Sequence, residues 1–195
     1  MSLTLRSLVS DEMSPWLGQL AGLRVAVFRA FPYLYDGDLA YEEQYLRDYA
    51  KDPNAVLVGA FDGDRLIGAA TGMPLASHSD AADLILPQDG PQIGDIYYCA
   101  ESVLLPEYRG RGLGHAFFDH REAIAREGGF AVAGFVGVMR PADHPLRPEG
   151  YQPLDPFWRK RGYERVEGST VQMSWKDIGE AEETQKTLQF WMRRL

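Results

Sequence analysis

Cysteine is almost absent from this sequence of 195 residues, which contains one cysteine, Cys99, and four histidines. A lone cysteine excludes an internal disulfide framework and a cysteine-based zinc cluster. Cys99 lies in the aromatic stretch of residues 96–100, and free cysteine is usually buried, so we expect a strand position rather than a nucleophile. Because no histidine pair has metal-ligand spacing near acidic residues, the sequence predicts no metal site.

Long hydrophobic runs and an excess of positive charge are also missing. The longest apolar run, residues 131–139, falls well short of the roughly 20 residues that span a bilayer. The formal net charge of −8 argues against binding to nucleic acid or anionic membranes, although it suits an amine partner. The first ten residues carry no pattern of a targeting segment. We therefore expect a cytoplasmic protein with no membrane and no nucleic-acid partner.

The first half of the chain predicts two helices, a hairpin and an insertion. With 45% hydrophobic residues, the chain can bury the core of a single domain over residues 1–195. A helix is predicted to start at Ser14-Pro15, and a second one covers about residues 39–50. Two apolar runs around residues 62–64 predict a hairpin. The irregular, proline-containing residues 77–94 are interpreted as an insertion, with a short helix at about residues 80–86.

The second half predicts two apolar strands around a helix, and then a helical end. The strands cover residues 93–105 and 130–139, and a short helix and two closing strands follow between residues 156 and 175. The apolar residues of the last segment recur at helical spacing, which predicts a helix at about residues 180–195. That helix can cover a sheet edge or form a homodimer.

The segment after the first apolar strand has the features of an anion site. Helix N-termini attract anions through unpaired N–H groups, and glycines at 110, 112 and 114 let a phosphate approach the backbone. Arg109 and Arg111 add two positive charges. A nucleotide P-loop requires a lysine that is missing here, and the glycine spacing differs from the dinucleotide-binding pattern. From these residues alone, a tight turn without a ligand remains an alternative.

Two segments together resemble the GNAT family of N-acetyltransferases. Residues 104–114 read Leu-Leu-Pro-Glu-Tyr-Arg-Gly-Arg-Gly-Leu-Gly, which resembles the acetyl-CoA-binding motif of that family. Its pattern, Arg/Gln-x-x-Gly-x-Gly/Ala, is met by Arg109, Gly112 and Gly114. Residues 157–163 resemble the family's Phe-Tyr-x-x-x-Gly-Phe segment, with Trp158 in place of the tyrosine. The resemblance covers about residues 55–175.

The resemblance implies the fold and the donor site. The expected fold is α/β (α+β), a mixed, strongly twisted central sheet with helices on both faces. Two central parallel strands splay apart in such a fold, and acetyl-CoA enters the gap between them. The implied cofactor-binding residues are Val103, Leu104, Leu105, Arg109, Gly110, Arg111, Gly112, Leu113, Gly114, His115 and Trp158.

The resemblance also implies the reaction, in which a primary amine attacks the thioester of acetyl-CoA directly. Glu101 is the candidate base, and Asp95 is the other acid on the same strand. Residues 95, 97, 99 and 101 share one face of that strand unless a bulge intervenes, and a bulge is expected where the two strands diverge. Tyr151 is the candidate acid. The acceptor is a small-molecule amine or a peptide. The acidic residues at 36, 38, 42 and 43 either attract a cationic acceptor or simply form the solvated start of a helix. A catalytically weak acyl-CoA-binding or regulatory domain is the alternative.

Overall fold

The computed structural model describes residues 3–79 and 83–195, which form a seven-stranded sheet in the order β1-β2-β3-β4-β5-β7-β6. The strands are β1 (Leu3–Val9), β2 (Val56–Asp62), β3 (Arg65–Pro74), β4 (Ile96–Leu104), β5 (Val132–Val138), β6 (Glu164–Trp175) and β7 (Thr184–Arg194). The helices are α1 (Leu17–Phe28), α2 (Leu39–Tyr49), α3 (Leu113–Glu127) and α4 (Asp155–Lys160). Only β4 and β5 are parallel neighbours, so the sheet is mixed, as predicted.

Helices cover both faces of the sheet, which confirms the expected architecture. On one face, Leu20 and Leu23 of α1 and Leu46 of α2 are buried in one cluster with side chains of β2, β3 and β4. On the other face, Leu113 and Phe117 of α3 pack against side chains of β2 and β3. Burial of one apolar stripe per helix stabilises this arrangement.

The boundary signals of the first half hold in part. The helix predicted to start at Ser14-Pro15 begins at Leu17, because both residues lie within a 3₁₀ helix, Ser10–Trp16. The side chain of Asp38 accepts a hydrogen bond from the amide of Tyr41 at 2.9 Å and so caps α2. The hairpin predicted around residues 62–64 is confirmed, because β2 and β3 are antiparallel and flank that turn. The predicted helix at residues 80–86 lies partly outside the described residues, and residues 83–86 are not helical.

The prediction of a helix at residues 180–195 is wrong, because residues 184–194 form β7. This strand lies between β5 and β6 and is antiparallel to both. Phe190 and Trp191 are both buried, on opposite faces of the sheet. Phe190 belongs to the same cluster as Ile96, and Trp191 to the same cluster as Phe135. A strand covered on both faces carries consecutive apolar residues, which imitate helical spacing. The suggested homodimer through a helix at this place therefore loses its basis.

No helix within the described ranges is long and apolar enough to cross a membrane.

The two predicted closing strands form a single strand, β6, whose pairing with β7 is interrupted between Arg165 and Thr170. The side-chain amide of Gln189 donates to the carbonyl oxygens of Val166 at 2.7 Å and Ser169 at 3.1 Å, which stabilises the interruption.

Candidate functional site

The two parallel strands separate after a short stretch of pairing. Residues Ile96–Tyr98 of β4 pair with Val132–Gly134 of β5, and the described strands form no further ladder with each other. The later part of β4 remains paired with β3, so its edge towards β5 carries unpaired backbone groups. The divergence expected for these two strands is therefore present, and it leaves a gap where an extended ligand can add to β4.

A bulge in β4 lies at the point of divergence. Thr71 of β3 is opposite Glu101, and Met73 is opposite Tyr98, so β4 contains one residue more than β3 over this stretch. Cys99 packs in the cluster beside Phe118 of α3, whereas Glu101 contacts α1 on the other face. The bulge thus separates Glu101 from residues 97 and 99, which an unbroken alternation would place on its face.

Arg121 of α3 holds this bulge from the side opposite α1. The residue is 1% exposed and donates to the carbonyl oxygens of Thr71 at 3.1 Å, Glu101 at 2.9 Å and Phe117 at 3.2 Å. It also donates to Oγ of Ser102 at 3.0 Å. No carboxylate of the described chain forms an ion pair with it, so carbonyl oxygens satisfy this cation. Arg121 is not among the residues predicted from the sequence, where its only signal is an arginine on the buried face of a helix.

Glu101 lies in a buried ionic cluster with one arginine and a second glutamate. Arg24 of α1 bridges the carboxylates of Glu101 and Glu42. Glu42 is 1% exposed, and Tyr35 donates its hydroxyl to this carboxylate, an interaction that raises the pKa of Tyr35 in addition to burial. Oε1 of Glu101 is buried and has no hydrogen-bond partner in the described chain. Glu101 therefore retains one acceptor atom without a partner, at the divergence of the strands.

The other acids considered from the sequence are engaged elsewhere. Asp36 pairs with Lys176 at 2.9 Å and Arg29 at 3.1 Å, and these partners lower its pKa. Asp38 caps α2, and Glu43 lies 3.5 Å from Arg47 on the helix surface. Asp95 accepts from the amide of Gln92 at 3.0 Å in the turn before β4. The acidic group therefore divides into surface pairs and the buried Glu42.

The glycine turn presents a row of free amides. Gly110 and Gly112 have φ angles of 73° and 80°, which residues with a side chain rarely adopt. The amide of Arg109 donates to the carbonyl of Pro106 at 3.1 Å, whereas the amides of residues 110–115 have no acceptor in the described chain. The first helical hydrogen bond runs from Ala116 to Gly112 at 3.1 Å. Six consecutive N–H groups are thus available to an anion.

The side chains around this turn are largely fixed by the protein. Nε of Arg109 donates to the carbonyl of Leu104 at 3.3 Å, and Arg111 donates to that of Glu107 at 3.1 Å. The His115 ring nitrogen Nδ1 lies 3.2 Å from Arg161, which also binds Asp119 at 2.7 Å. His115 consequently offers its amide rather than its ring to a ligand at the turn.

Trp158 lies beside the divergent part of β5. Its ring is 4.9 Å from that of Phe135 and 5.1 Å from that of Trp191. A Cβ atom added to Gly137 would come within 2.9 Å of the Trp158 ring, so the missing side chain at 137 makes room for the indole. The helix α4, which carries Trp158, is thereby anchored to the sheet at the second splayed strand.

Tyr151 packs against the segment after α1. Its ring contacts that of Phe31 edge to face at 4.7 Å, and the guanidinium of Arg147 lies 5.1 Å away. Burial raises the pKa of the Tyr151 hydroxyl, and Arg147 partly offsets this effect. Burial also raises the pKa of Tyr33 to about 12, and both Arg24 and Tyr151 influence it electrostatically. Tyr33 thus connects the surroundings of Tyr151 with those of Arg24.

A second buried ion cluster holds the segment after α1 in place. Arg140 donates to Asp177 at 2.7 Å and 2.9 Å, and Lys186 lies 3.2 Å from the same carboxylate. Arg140 also donates to the carbonyl oxygens of Pro32 at 2.8 Å and Tyr33 at 2.7 Å. Burial acts to raise the pKa of Asp177, but the hydrogen bonds and charges of Arg140 and Lys186 outweigh it and lower the pKa. The cluster links the segment after β5 to the backbone at Pro32 and Tyr33.

No group of three histidine, cysteine or acidic side chains within residues 3–79 and 83–195 is arranged to hold a metal ion. The polar groups at the divergence of the strands are the unpaired backbone groups of β4 and the free carboxylate oxygen of Glu101, and the amides of the glycine turn follow β4.

Comparison with known proteins gives a family match and a set of similar folds. Residues 22–147 match the model of the acetyltransferase (GNAT) family. No curated protein matches the chain in sequence.

Three solved structures illustrate the similarity of the fold. A ribosomal-protein-alanine N-acetyltransferase from Brucella melitensis superposes with a TM-score of 0.63 at 15% identity, covering 98% of this chain and 99% of its own. A GNAT-family N-acetyltransferase from Kribbella flavida gives 0.59 at 19% identity, with coverages of 99% and 98%. An N-acetyltransferase from Thermoplasma acidophilum in complex with coenzyme A gives 0.55 at 13% identity and covers 100% of both chains.

Proposed function

The chain belongs to the acetyltransferase (GNAT) family, and on this premise we propose that it transfers an acetyl group from acetyl-CoA to a primary amine by direct attack. The observation that carries the proposal is the pairing of two features. β4 leaves β5 after Tyr98, and the row of free amides at residues 110–115 follows at the end of the same strand. One ligand with an extended arm and a pyrophosphate fits both features.

The donor occupies the gap in a defined direction. The pyrophosphate accepts hydrogen bonds from the amides of residues 110–115, where Gly110 and Gly112 leave the backbone open. The pantetheine arm adds to the free edge of β4 at Val103 and Leu104, as an additional strand. It also passes Leu105, whose amide donates to Ile67 at 3.0 Å and whose carbonyl accepts from Tyr108 at 3.0 Å. The thioester then lies towards the bulge that carries Glu101. Arg109, Arg111 and Trp158 complete the proposed donor site.

The chemical step requires a free amine and a leaving thiolate. The amine lone pair attacks the thioester carbonyl carbon, a C–N bond forms, and the C–S bond breaks with its electron pair going to sulfur. Glu101 accepts the proton that the nitrogen loses, directly or through one water. Tyr151 donates a proton to the departing sulfur, since a tyrosine hydroxyl is protonated at neutral pH. Backbone N–H groups of β4 near the bulge stabilise the oxyanion.

The acceptor enters from the side opposite the pyrophosphate. Its walls are the segment after α1, residues 83–94 and the loop of residues 141–154. The formal net charge of −8 supports an amine acceptor that is cationic elsewhere in its structure, either a small molecule or a peptide.

One observation favours a second candidate, an acyl-CoA-binding domain with little catalytic power. Arg24 already forms an ion pair with Glu101, and an opposite charge stabilises the ionised carboxylate and weakens it as a base. Trp158 also stands where the resemblance places a tyrosine.

A thiol-release assay with acetyl-CoA distinguishes the two candidates. The purified protein is mixed with acetyl-CoA and a panel of amines, polyamines, amino acids and peptides, and the acetylated product is identified by mass spectrometry. Calorimetry measures acetyl-CoA binding on the same sample. Amine-dependent thiol release with an acetylated product supports the transferase. Binding without turnover supports the second candidate, and no binding at millimolar acetyl-CoA contradicts both.

A further inference from the structure

We propose that Arg24 and Glu42 are positioning residues that together set the basicity of Glu101. This inference rests on the proposed function, in which Glu101 is the base. Arg24 holds one carboxylate oxygen of Glu101. Glu42 takes part of the charge of the same guanidinium and so keeps Glu101 able to accept a proton. The sequence alone gives no sign of this device, because α1, α2 and β4 contribute one member each.

The contacts define a chain of three charged side chains. Nε of Arg24 donates to Glu42, and Nη1 of Arg24 contacts Oε2 of Glu101. The side chains of Glu101 and Arg24 are 10% and 13% exposed, and that of Glu42 is 1% exposed. Water therefore screens these charges only weakly, and each one acts strongly on the other two.

The cluster leaves the two oxygens of Glu101 with different roles. Oε2 is occupied by Arg24, whereas Oε1 is buried and has no partner in the described chain. A buried polar atom without a hydrogen bond is costly unless a water or a ligand satisfies it. Oε1 is therefore the atom that accepts the proton of the acceptor amine, while Arg24 fixes the orientation of the carboxylate.

Glu42 counteracts the effect of Arg24. A guanidinium bound to Glu101 alone would lower the pKa of that carboxyl and make it a poor base. The second carboxylate, Glu42, shares the guanidinium and repels a negative charge on Glu101, which favours protonation of Glu101. The net charge of the triad is then zero when Glu101 is protonated and −1 when it is ionised.

The other groups around Arg24, Glu42 and Glu101 do not offset the effect of the Arg24 charge on Glu101. Tyr45 and Phe28 place their rings 4.7 Å and 5.2 Å from the Arg24 guanidinium and exclude water from it. Tyr35 donates to Glu42, and Tyr33 lies within electrostatic range of Arg24. From the opposite face, Arg121 of α3 donates to the carbonyl of Glu101 and adds a second positive charge. With two cations near Glu101, the carboxylate of Glu42 is the negative group that restores its basicity.

The test is a direct titration of Glu101, which does not depend on activity. Side-chain carboxyl ¹³C signals of glutamate are followed against pH in the full-length protein, and the Glu101 signal is assigned with Glu101→Gln. Glu42→Gln removes the second carboxylate from the guanidinium and leaves Glu101 as its carboxylate partner. The amide of glutamine retains an acceptor for Arg24, and urea unfolding of each variant checks that it is folded.

The proposal predicts opposite shifts in two variants. Glu42→Gln lowers the pKa of Glu101, because the guanidinium charge is no longer shared. Arg24→Gln raises that pKa, because the ion pair is lost. Glu43→Gln is the matched control on the same helix, since Glu43 is exposed and paired with Arg47, and it leaves the Glu101 titration unchanged.

Kinetics then separate this inference from the proposed function. If acetyl transfer occurs, the acid limb of the pH profile of kcat/KM moves to lower pH in Glu42→Gln and not in Glu43→Gln. An unchanged Glu101 titration in Glu42→Gln overturns the role of Glu42, and an unchanged one in Arg24→Gln overturns that of Arg24. Absence of transfer with every acceptor contradicts the proposed function, whereas the titration shifts are still measured.

Discussion

Arg121 donates a hydrogen bond from Nη1 to the carbonyl oxygen of Glu101 at 2.9 Å, and so joins the helix after the glycine turn to the strand of the proposed base. The same nitrogen donates to Thr71 at 3.1 Å on the neighbouring strand. Burial of a cation without a carboxylate is costly, and the four hydrogen bonds of this guanidinium offset that cost. Arg121 therefore ties α3 to the bulge of β4.

Arg121→Met is expected to lower the unfolding free energy by about 3 kcal/mol, because buried carbonyl groups lose their donor. Urea unfolding measures the change. Arg126→Met is the control on the same helix, since Arg126 is half-exposed and 3.8 Å from Glu122, and it lowers stability by only about 0.5 kcal/mol. Equal effects of the two changes would show that Arg121 does not hold the bulge.

Gly112→Ala is expected to weaken acetyl-CoA binding at least about tenfold, a loss of about 1.4 kcal/mol in binding free energy. The added methyl group obstructs the approach of a phosphate to the amides, and the φ angle of 80° is strained for alanine. Calorimetry with acetyl-CoA measures the affinity.

Gly63→Ala is the matched control for Gly112→Ala. Gly63 has a φ angle of 61° in the β2–β3 turn, with no atom within 4 Å of an added Cβ. Both variants lose about 1 kcal/mol of stability through backbone strain. Only Gly112→Ala is expected to lose affinity, and equal acetyl-CoA affinities in the two variants would contradict the phosphate site.

The glycine turn could be predicted from the sequence because its signals are local. The strand, the glycines at 110 and 112 and the start of α3 lie within a short segment, and backbone geometry depends directly on those residues. The hairpin at residues 62–64 and the cap of α2 at Asp38 were predictable for the same reason. The family resemblance added the direction of the strands around the gap.

The surroundings of Glu101 were not predictable in the same way. Its partner Arg24 and the bulge that turns it towards α1 depend on contacts across the sheet, which leave no local pattern. The error at residues 180–195 has a different cause. Phe190, Trp191 and Met192 are adjacent apolar residues of a central strand, and such a run matches the helical period as well as the strand period.

Asp177→Asn is expected to lower the unfolding free energy at pH 7 by about 3 kcal/mol, because Arg140 and Lys186 lose their counter-charge in a buried cluster. The pKa of Asp177 is lower in the folded protein than the ordinary aspartate value of about 3.9, which applies to the unfolded chain. The unfolded chain therefore binds this proton at higher pH than the folded one. The stabilisation is complete above about pH 4 and is lost as pH falls through the folded pKa.

The Asp177 prediction is checked by urea unfolding of wild type and Asp177→Asn between pH 2.5 and 7. The difference in unfolding free energy should shrink below about pH 4, since a protonated aspartic acid resembles asparagine. Asp48→Asn on the surface of α2 serves as the control with a small difference at pH 7. A difference for Asp177→Asn that stays constant down to pH 2.5 would exclude its charge as the cause.

Tyr151→Phe is expected to reduce kcat about tenfold, which is less than the roughly hundredfold or more that is typical of general acid–base catalysis, because a thiolate leaves readily even without an acid. The variant keeps the ring that packs against Phe31, so KM for acetyl-CoA should not change. Tyr41→Phe on the exposed surface of α2 is the control. Unchanged kcat in Tyr151→Phe would remove Tyr151 as the acid and leave solvent to protonate the sulfur.

The position of β7 affects how the protein folds during synthesis. β7 fills the place between β5 and β6, yet both of these strands are translated before it. Until residue 194 has left the ribosome, the edges of β5 and β6 that pair with β7 lack their partner, and Phe135 lacks the Trp191 ring. Unpaired strand edges promote association between chains. A ribosome-stalled chain that ends before Thr184 is therefore expected to aggregate more readily than the complete one.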